Sequence, residues 1–323
     1  MPGNSNYNNL ISSTLDKFMK EKITSQIIGN NALLRILQSK GKIVHEVGGK
    51  NFVENVAYAS NSTVQFQDAT ELLDTTPQEE FTSAVFSQKM LTATDSITEK
   101  EILQNSGDAR IFNLLEGKRQ VTLDSLKNTL GSAIYGDGTG SAGKSIGGLQ
   151  LLVADDPTTG TVGGIDRSTN NFWRNQVYDF SSSTSPSVPA SATNILAGMN
   201  KLYLACQVQE GAFPDLILAD DDYFTYFETA TQQIQRITNT EQGKIGFSNL
   251  AYKTSTVVYD PNCPDKHMYF LNTDYLKFQH LNNPLFTKGD TQRVINQLAY
   301  ITPIYLYGNL TINSARVHGV MKD

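Results

Sequence analysis

The sequence predicts an α+β fold, in which helices and strands occupy separate stretches of the chain. Three observations carry this prediction. Residues 42–97 show the short runs of a polar β-ribbon, residues 98–135 show the apolar periodicity of a long helix, and the chain beyond Trp173 mixes short helices and strands. A glycine-rich stretch, residues 134–173, separates the long helix from the mixed part.

Length and composition fit a folded chain with large polar surfaces. The 323 residues suffice for one large or two modest domains. A formal net charge of −6 provides no basic field for nucleic acid. Cys206 and Cys263 are too few for a disulfide scaffold and fit a reducing compartment, although a single bridge between them stays open. The polar N-terminus and the lack of a long apolar run predict a soluble protein made in the cytoplasm.

Two amphipathic segments open the chain. Residues 9–28 carry apolar side chains at helical spacing, which predicts a helix on an N-terminal arm, and residues 32–37 form a second apolar run that ends before Gly41. The apolar positions of the first segment are Leu10, Ile11, Leu15, Phe18, Met19, Ile23 and Ile27. An apolar face so early in the chain needs a partner outside the arm.

The next stretch is predicted to be extended. Residues 43–47 and 51–56 flank Gly48 and Gly49, and this pattern predicts a β-hairpin. Residues 63–66 and 83–89 continue the extended pattern. A two-stranded ribbon is only marginally stable by itself. We therefore expect the ribbon to lie on a second surface that the chain's own core does not provide.

A long helix follows the ribbon. Ser96 and Thr98 are suitable residues for its start, and after a break at residues 105–108 its periodicity resumes and ends at Gly136. It spans some 25 residues, or nearly 40 Å at about 1.5 Å per residue. Its apolar stripe consists of Ile111, Leu114, Leu115, Leu123, Leu126, Leu130 and Ile134.

The remaining chain predicts a mixed unit behind a Ser/Pro loop at residues 181–191. Helices are expected at residues 194–207 and 223–235, and strands at 216–219, 256–259, 268–271 and around Phe278. Residues 298–317 predict two strands hinged at Gly308.

Residues 138–145, GTGSAGKS, match the phosphate-loop pattern G-x-x-x-x-G-K-[ST]. A working phosphate loop has a strand before it and a helix after it, because the free N–H groups of that helix hold the phosphates. Here a helix comes first, and Gly147 and Gly148 would break the helix that should follow. Residues 216–220 form an apolar run that ends in an aspartate, which resembles the Walker B strand of phosphate-loop proteins. This resemblance keeps the nucleotide hypothesis open. The favoured interpretation is a mobile loop with a solvated Lys144.

Other candidate sites have ordinary structural alternatives. Asp220, Asp221 and Asp222 could bind a divalent cation, but such a run more often caps a helix. Cys263 and His267, with His280 farther on, lack a second ligand pair for zinc, and no arrangement supports a Ser/His/Asp triad. Trp173 is either a buried anchor or, together with Arg174, a contact between subunits.

Several short segments, in this order, resemble the major capsid proteins of tailed bacteriophages with the Hong Kong 97-type fold. Each motif is weak alone, and their order over almost the whole chain carries the resemblance. The segments are residues 48–54, 58–64, 130–138, 147–149, 163–167, 171–175, 214–218 and 307–312.

The resemblance implies an N-terminal arm at residues 1–40 and an extended β-hairpin E-loop at 41–90. It also implies a peripheral domain with the spine helix at 91–145 plus 290–323, and an axial domain at 146–289. The arm and the ribbon would then lie across neighbouring subunits. Candidate contacts between subunits are Leu15, Phe18, Met19, Phe52, Val53, Trp173 and Arg174.

The function implied is structural, with no catalysis, cofactor or metal. The chain would self-assemble into hexamers and pentamers of an icosahedral virion head, made in the host bacterial cytoplasm. It would enclose double-stranded DNA without reading its sequence, alongside portal, scaffolding and decoration proteins and without a membrane. Two alternatives stay open: a nucleotide-binding enzyme that uses residues 138–145, and another virion protein of the tail or decoration type. Lys50 lies where some family members form covalent cross-links, but no partner for it is apparent in the sequence.

Overall fold

A computed structural model describes residues 31–66, 68, 72, 74–104, 114–183, 188–207, 212–231 and 250–323. The predicted arm helix, with Leu15, Phe18 and Met19, lies outside these residues. The described residues form two compact units. The first unit comprises 91–104, 114–130 and 283–306, and the second unit comprises the described parts of 31–90, 131–282 and 307–323. No helix within the described ranges is long and apolar enough to cross a bilayer.

The long helix is present, as α3. Its end at Tyr135 confirms the stop predicted at Gly136, and Leu126, Leu130 and Ile134 of the predicted stripe are buried. Ile111 lies outside the described residues. The helices are α1 (Ala32–Ser39), α2 (Glu99–Gln104), α3 (Leu114–Tyr135), α4 (Gly140–Gly143), α5 (Leu149–Leu152), α6 (Phe180–Ser183), α7 (Ile195–Ala205) and α8 (Asp221–Thr231).

The start of α2 shows why its predicted position was correct. The Thr98 hydroxyl accepts a hydrogen bond from the Glu101 N–H at 3.3 Å, and the Glu101 carboxylate accepts one from the Thr98 N–H at 2.9 Å. This reciprocal capping box satisfies two backbone donors that the helix itself leaves free.

The strands in the described residues are mostly short. They are β1 (Ile43–His45), β2 (Asn51–Ala57), β3 (Phe81–Ser87), β4 (Lys89–Thr98), β5 (Thr161–Val162), β6 (Ile165–Asp166), β7 (Gln176–Asp179), β8 (Leu216–Ala219), β9 (Leu250–Tyr252), β10 (Ser255–Tyr259), β11 (His267–Leu271), β12 (Leu276–His280), β13 (Thr287–Lys288), β14 (Gln292–Arg293), β15 (Ala299–Ile312) and β16 (Gly319–Lys322).

A six-stranded mixed sheet forms the centre of the second unit, with strand order β7-β16-β11-β8-β10-β9. Its strand β8 is buried along its whole length, as its unbroken apolar sequence predicts. Helices α7 and α8 contribute Met199, Tyr223 and Phe227 to the core cluster, where they join Phe270 of β11. The mixed α and β character predicted for this part of the chain is therefore confirmed.

Strand β15 has different partners along its length. Its first half pairs with β13 and β14, and its second half pairs with β12. The predicted hinge at Gly308 is wrong, because β15 is continuous there. A Cβ atom at Gly308 would lie 2.9 Å from the Gln279 carbonyl oxygen and 3.1 Å from Cζ of Phe278. The glycine therefore permits close approach to β12 and does not mark a break.

The predicted hairpin between residues 43–47 and 51–56 is also wrong. Strand β1 pairs in parallel with β12, and β2 pairs antiparallel with β3, with Asn51 opposite Ser87. Gly48 and Gly49 do have positive φ angles and form a turn. That turn redirects the chain from one sheet to another, because the partner of β1 lies far along the sequence, at residues 276–280. Residues 63–66 form no strand.

Candidate assembly surfaces

The glycine-rich stretch brings the chain from α3 into the second unit through very close contacts. A Cβ atom at Gly148 would lie 2.2 Å from the carbonyl oxygen of Ile134, so only glycine fits there. Within α4, Ser141 and Ala142 both have left-handed backbone angles, with φ of 52° and 56°. The segment is thus a tightly folded joint, and the predicted mobile loop does not describe its geometry.

Five residues of the 138–145 segment line a pocket of about 530 Å³, but the polar groups of this pocket do not suit a phosphate; they are Gly138, Thr139, Ala142, Gly143 and Ser145. Lys89, on the pocket wall, donates its ammonium to the Gly143 carbonyl at 2.5 Å. Asp137, also on the wall, accepts hydrogen bonds from the Thr139 N–H and hydroxyl, which hold the pKa of its carboxyl below the usual value. Lys144 is exposed and outside the lining. A phosphate would therefore meet a carboxylate, and the N–H groups of Gly143, Lys144 and Ser145 already donate to carbonyls of the same segment.

Trp173 is fully buried, and its indole N–H donates to the Val162 carbonyl at 3.0 Å. It is therefore the buried anchor, and the interpretation of Trp173 as a direct subunit contact is corrected. Arg174 is half-buried and donates to the carbonyls of Arg167 and Ser168, each at 2.7 Å. Part of its surface stays open to solvent.

Arg167 is a structural residue that the sequence did not reveal. It is 1% exposed, and its guanidinium donates to the carbonyls of Trp173 at 3.3 Å, Leu151 at 3.1 Å and Leu152. Burial lowers the pKa of Arg167 to about 10, so it keeps its charge at neutral pH. Three carbonyl dipoles stabilise that charge in place of a carboxylate, and no local motif predicts such an arrangement.

Strands β2 and β3 form a ribbon, whose root we define as residues 51–57 and 81–87. Phe52 and Phe86 point inward and are 3% and 5% exposed, whereas Val53 on the opposite face is 55% exposed. The Val85 N–H donates to the Gly163 carbonyl at 2.8 Å. The ribbon root therefore packs on a surface of its own chain, and the expectation that the chain provides no such surface is wrong for the root. Phe52, buried in its own chain, is withdrawn as a direct subunit contact.

A buried carboxylate also ties the ribbon root to β12 and β15. Glu54 is 7% exposed and accepts hydrogen bonds from Gln279 at 2.8 Å and Thr311 at 3.3 Å. The Lys277 ammonium lies 3.3 Å from the same carboxylate. One ammonium and two neutral donors thus stabilise the Glu54 carboxylate. A buried carboxylate without such partners would be strongly destabilising.

The described residues between β2 and β3, here called the ribbon tip (58–66, 68, 72 and 74–80), present apolar side chains to solvent. Val64, Phe66 and Leu72 are 83%, 107% and 93% exposed. Phe81, at the edge of the root, is 73% exposed. Large apolar side chains that a single chain leaves in water are typical of a surface that is covered by a partner.

The start of α1 is held by buried polar contacts within the second unit. The buried carboxylate of Asp260 accepts hydrogen bonds from the Ala32 N–H at 2.9 Å and from the Tyr135 hydroxyl at 2.8 Å. Asn31 caps α1 through the Leu34 N–H at 2.7 Å, while its amide donates to the Gly131 carbonyl at 3.2 Å. The chain at Asn31 and Ala32 is therefore anchored to other residues of the second unit. The role of Asp260 was not predicted, because its partners are distant in sequence.

The acidic run at the start of α8 caps that helix, which is the structural alternative given for it above. Asp220 accepts the Tyr223 N–H at 2.9 Å and also the Lys266 N–H. Burial raises the pKa of the Asp220 carboxyl. Oxygens of the three carboxylates lie within 4.8 Å of one another, but nothing else at this position indicates a cation.

The cysteines give no metal site. Cys206 and Cys263 are buried and free, so the bridge between them is not formed. Cys263 donates to the His267 carbonyl at 3.6 Å. Both ring nitrogens of His267 are engaged, one with the Asp265 carbonyl and one with Asp155 at 3.0 Å. A zinc ion bound to either nitrogen of His267 would have to displace the partner that this nitrogen already has.

A long helix, a two-stranded ribbon and a six-stranded mixed sheet with helices packed on it are the main features of the described residues. The chain has the Hong Kong 97-type capsid fold. This assignment rests on solved structures that match over nearly the whole length of both chains, and it concerns the fold.

Three of the matching structures show the range of the likeness. The chain is similar to the capsid asymmetric unit of cyanophage A-1(L), with 17% identity, coverage of 96% of this chain and 97% of the other, and a TM-score of 0.73. It resembles the SrpI encapsulin of Synechococcus elongatus PCC 7942, with 10% identity, 97% and 94% coverage and a TM-score of 0.62. It also resembles the capsid of Myoviridae phage XM1, with 12% identity, 93% and 94% coverage and a TM-score of 0.58. No protein-family model and no curated protein sequence matches the chain.

Proposed function

We propose that this chain is the major capsid protein of a tailed bacteriophage and assembles into the hexamers and pentamers of an icosahedral head around double-stranded DNA. One observation carries the proposal: the fold corresponds to that of a cyanophage capsid subunit over 96% of this chain and 97% of the other. The role is structural, and the net charge of −6 suits a container that does not bind its DNA tightly.

The domain scheme supports this role with one altered boundary. Residues 1–40 would be the arm, 41–90 the E-loop, 91–145 with the chain from 290 the peripheral domain, and 146–289 the axial domain. Strand β16 pairs with β7 and β11, so the proposed axial domain also takes the C-terminal strand. This change follows the division of the described chain, in which residues 307–323 belong to the second unit.

The contacts between subunits would come from surfaces that the single chain leaves uncovered. We propose Val53 on the outer face of the ribbon root, the exposed part of Arg174, and Leu15, Phe18 and Met19 of the arm. Portal, scaffolding and decoration proteins are further proposed partners in a virion that is produced in the bacterial cytoplasm. The ribbon tip, with Phe66 in solvent, is the strongest indication of a surface that a neighbour covers.

The test compares the full chain with a variant that lacks residues 1–28. We expect the purified full chain to form closed, symmetric particles in negative-stain images, whereas the deletion variant stays as unassembled, folded chain. The deletion preserves Asn31 and its cap on α1, so the second unit should retain its circular dichroism and cooperative unfolding. A full chain that stays monomeric at high concentration in sedimentation contradicts the proposal. Rings or tubes would instead support a tail-type protein.

The nucleotide alternative is tested on the same material. Lys144→Ala should leave both particle formation and the absence of nucleotide binding unchanged. Binding of ATP by the parent that is lost in Lys144→Ala would overturn the structural role assigned to residues 138–145.

A further inference from the structure

Two histidines lie side by side where the chain enters the ribbon. In the parallel pairing of β1 with β12, His45 is directly opposite His280. Their ring centroids are 5.5 Å apart and the rings are tilted by 59°. His45 is exposed and His280 is 7% exposed, so the pair lies at the edge of the sheet with one ring open to solvent.

Each ring has one nitrogen fixed by a backbone carbonyl. Nε2 of His45 lies 3.2 Å from the Leu281 carbonyl oxygen, and Nδ1 of His280 lies 2.6 Å from the Asn282 carbonyl oxygen. Since a carbonyl only accepts hydrogen bonds, each of these nitrogens carries the proton. The other nitrogen of each neutral ring, Nδ1 of His45 and Nε2 of His280, then presents a lone pair. Neither has a hydrogen-bond partner among the described residues.

This arrangement is the one that orients histidines as metal ligands. A metal-binding imidazole almost always donates its second N–H to a carbonyl or carboxylate, which fixes its tautomer and its direction. A zinc ion held by both rings at about 2.0–2.1 Å with a tetrahedral angle would place the ring centres roughly 5 Å apart. The observed 5.5 Å is within a small side-chain adjustment of that value. Burial, opposed by the Asn282 carbonyl, lowers the pKa of His280 and keeps its ring neutral near pH 7.

We propose that His45 and His280 form a two-imidazole site for a divalent transition metal of the zinc class. Water completes the coordination, so binding is expected to be weaker than at sites with four protein ligands. The metal would join β1 to β12 across a pairing of only three residues. It would thereby hold the segment that leads through Gly48 and Gly49 into the ribbon root.

The other two histidines do not offer such a pair. Both nitrogens of His267 are engaged with Asp265 and Asp155, and His318 is fully buried. These histidines, together with the acidic run at Asp221, therefore provide matched controls within the same chain. The proposal is independent of capsid assembly, because it concerns a site formed by one chain.

The experiment titrates the purified full-length chain with Zn²⁺ alone, by calorimetry at pH 7.5, and repeats the titration with Co²⁺ to record its visible absorption. We expect one binding site per chain and a Co²⁺ spectrum with bands typical of nitrogen ligation. His45→Gln should weaken Zn²⁺ binding by more than about tenfold, since even changes behind a ligand cost 10–100-fold. Because His45 is exposed, this variant should stay folded.

The controls decide which residues bind. His267→Gln, Cys263→Ser and Asp221→Asn should each leave the Zn²⁺ affinity within about threefold of the parent. Lowering the pH to 5.5 should weaken binding, because protonated imidazole is not a ligand. No Zn²⁺ binding by the parent, equal binding by His45→Gln, or loss of binding in any of the three controls would overturn the proposal. Particle formation, measured separately, reports on the capsid function and not on this site.

Discussion

The glycine-rich joint and the ribbon tip are opposite extremes of packing within one chain. At Gly148 a single added methyl carbon would lie 2.2 Å from the Ile134 carbonyl oxygen. At Phe66 an entire aromatic ring is 107% exposed. The first region is determined entirely by contacts inside the chain. The ribbon tip is explained only by contacts outside the chain. Exposing large apolar side chains to water is unfavourable, and no contact within the single chain offsets that cost.

The ribbon root lies between these extremes and shows where the transition occurs. Its inner face, with Phe86, packs on Gly163 so closely that a Cβ atom there would approach a ring carbon of Phe86 to 3.1 Å. Its outer face, with Val53 and Val85, is 55% and 40% exposed. The period of two in a strand divides the same ribbon into a face that serves folding and a face that is available for assembly.

The largest effect is expected at the joint. Gly148→Ala places a methyl group against the backbone of α3, where neither partner is a flexible side chain. We expect a loss of about 4 kcal/mol or more in the free energy of unfolding, or failure to accumulate as folded protein. The measurement is urea unfolding of the unassembled chain followed by circular dichroism.

Gly160→Ala is the matched control for that substitution. Gly160 has a φ of +85°, and a Cβ atom added there would have no other atom within 4 Å, so only the left-handed backbone penalty applies. That penalty is about 1–2 kcal/mol. If both substitutions lowered the free energy of unfolding equally, the backbone around Gly148 would accommodate a methyl group at little cost. The joint would then not be the tightly packed extreme that the comparison with the tip requires.

Two phenylalanines of the ribbon should give opposite outcomes. Phe86→Ser removes a buried ring from the root and should lower the free energy of unfolding by about 3–5 kcal/mol. Phe66→Ser removes an exposed ring from the tip and should change that free energy by less than about 0.5 kcal/mol while weakening particle formation. Unfolding of the unassembled chain and light scattering of the assembly reaction separate the two effects. Normal assembly of Phe66→Ser would remove the tip from the proposed contacts.

Local patterns in the sequence predicted most elements but not their partners. The long helix was predicted by its stripe and its terminal glycine, and the start of α2 by the suitability of Thr98 for the beginning of a helix. The β1–β2 hairpin was predicted wrongly, because turn chemistry at Gly48 and Gly49 does not tell which strands meet on either side. A parallel partner such as β12 has no local signal.

The same reasoning explains which site residues were missed. Arg167 and Asp260 are buried polar groups whose partners come from several turns and helices, so their spacing carries no pattern. Trp173 was correctly recognised as a possible anchor, but the sequence alone could not decide between burial and exposure. The order of weak motifs along the whole chain was more informative than any single motif. A fold determines the order of its segments along the chain even where no single segment has a distinctive sequence.

A pH dependence of the free energy of unfolding is also expected, and it arises in the packed interior and not at the tip. His318 is fully buried, and burial lowers its pKa to about 4, while its Nδ1 accepts the Asn272 N–H at 3.3 Å. Below about pH 6.5 the unfolded chain binds a proton at this residue that the folded chain does not bind. Folded-state stability should therefore fall as the pH decreases from about 6.5 towards 4, by up to about 3 kcal/mol from this group.

His267 provides a control of opposite sign. Burial opposes its protonation, but the hydrogen bonds to Asp155 and the Asp265 carbonyl raise its pKa above the usual value. Its contribution is thus fully present below about pH 6.5 and is lost as the pH rises through the raised pKa. In urea unfolding between pH 7.5 and 4.5, His318→Gln should flatten the decline in stability towards acid, and His267→Gln should steepen it. Parallel curves for both variants and the parent would show that these interior histidines do not set the acid sensitivity. If Phe66→Ser also changed the pH dependence of the free energy of unfolding, part of that dependence would arise at the tip. This result would contradict the division between a packed interior and an exposed tip.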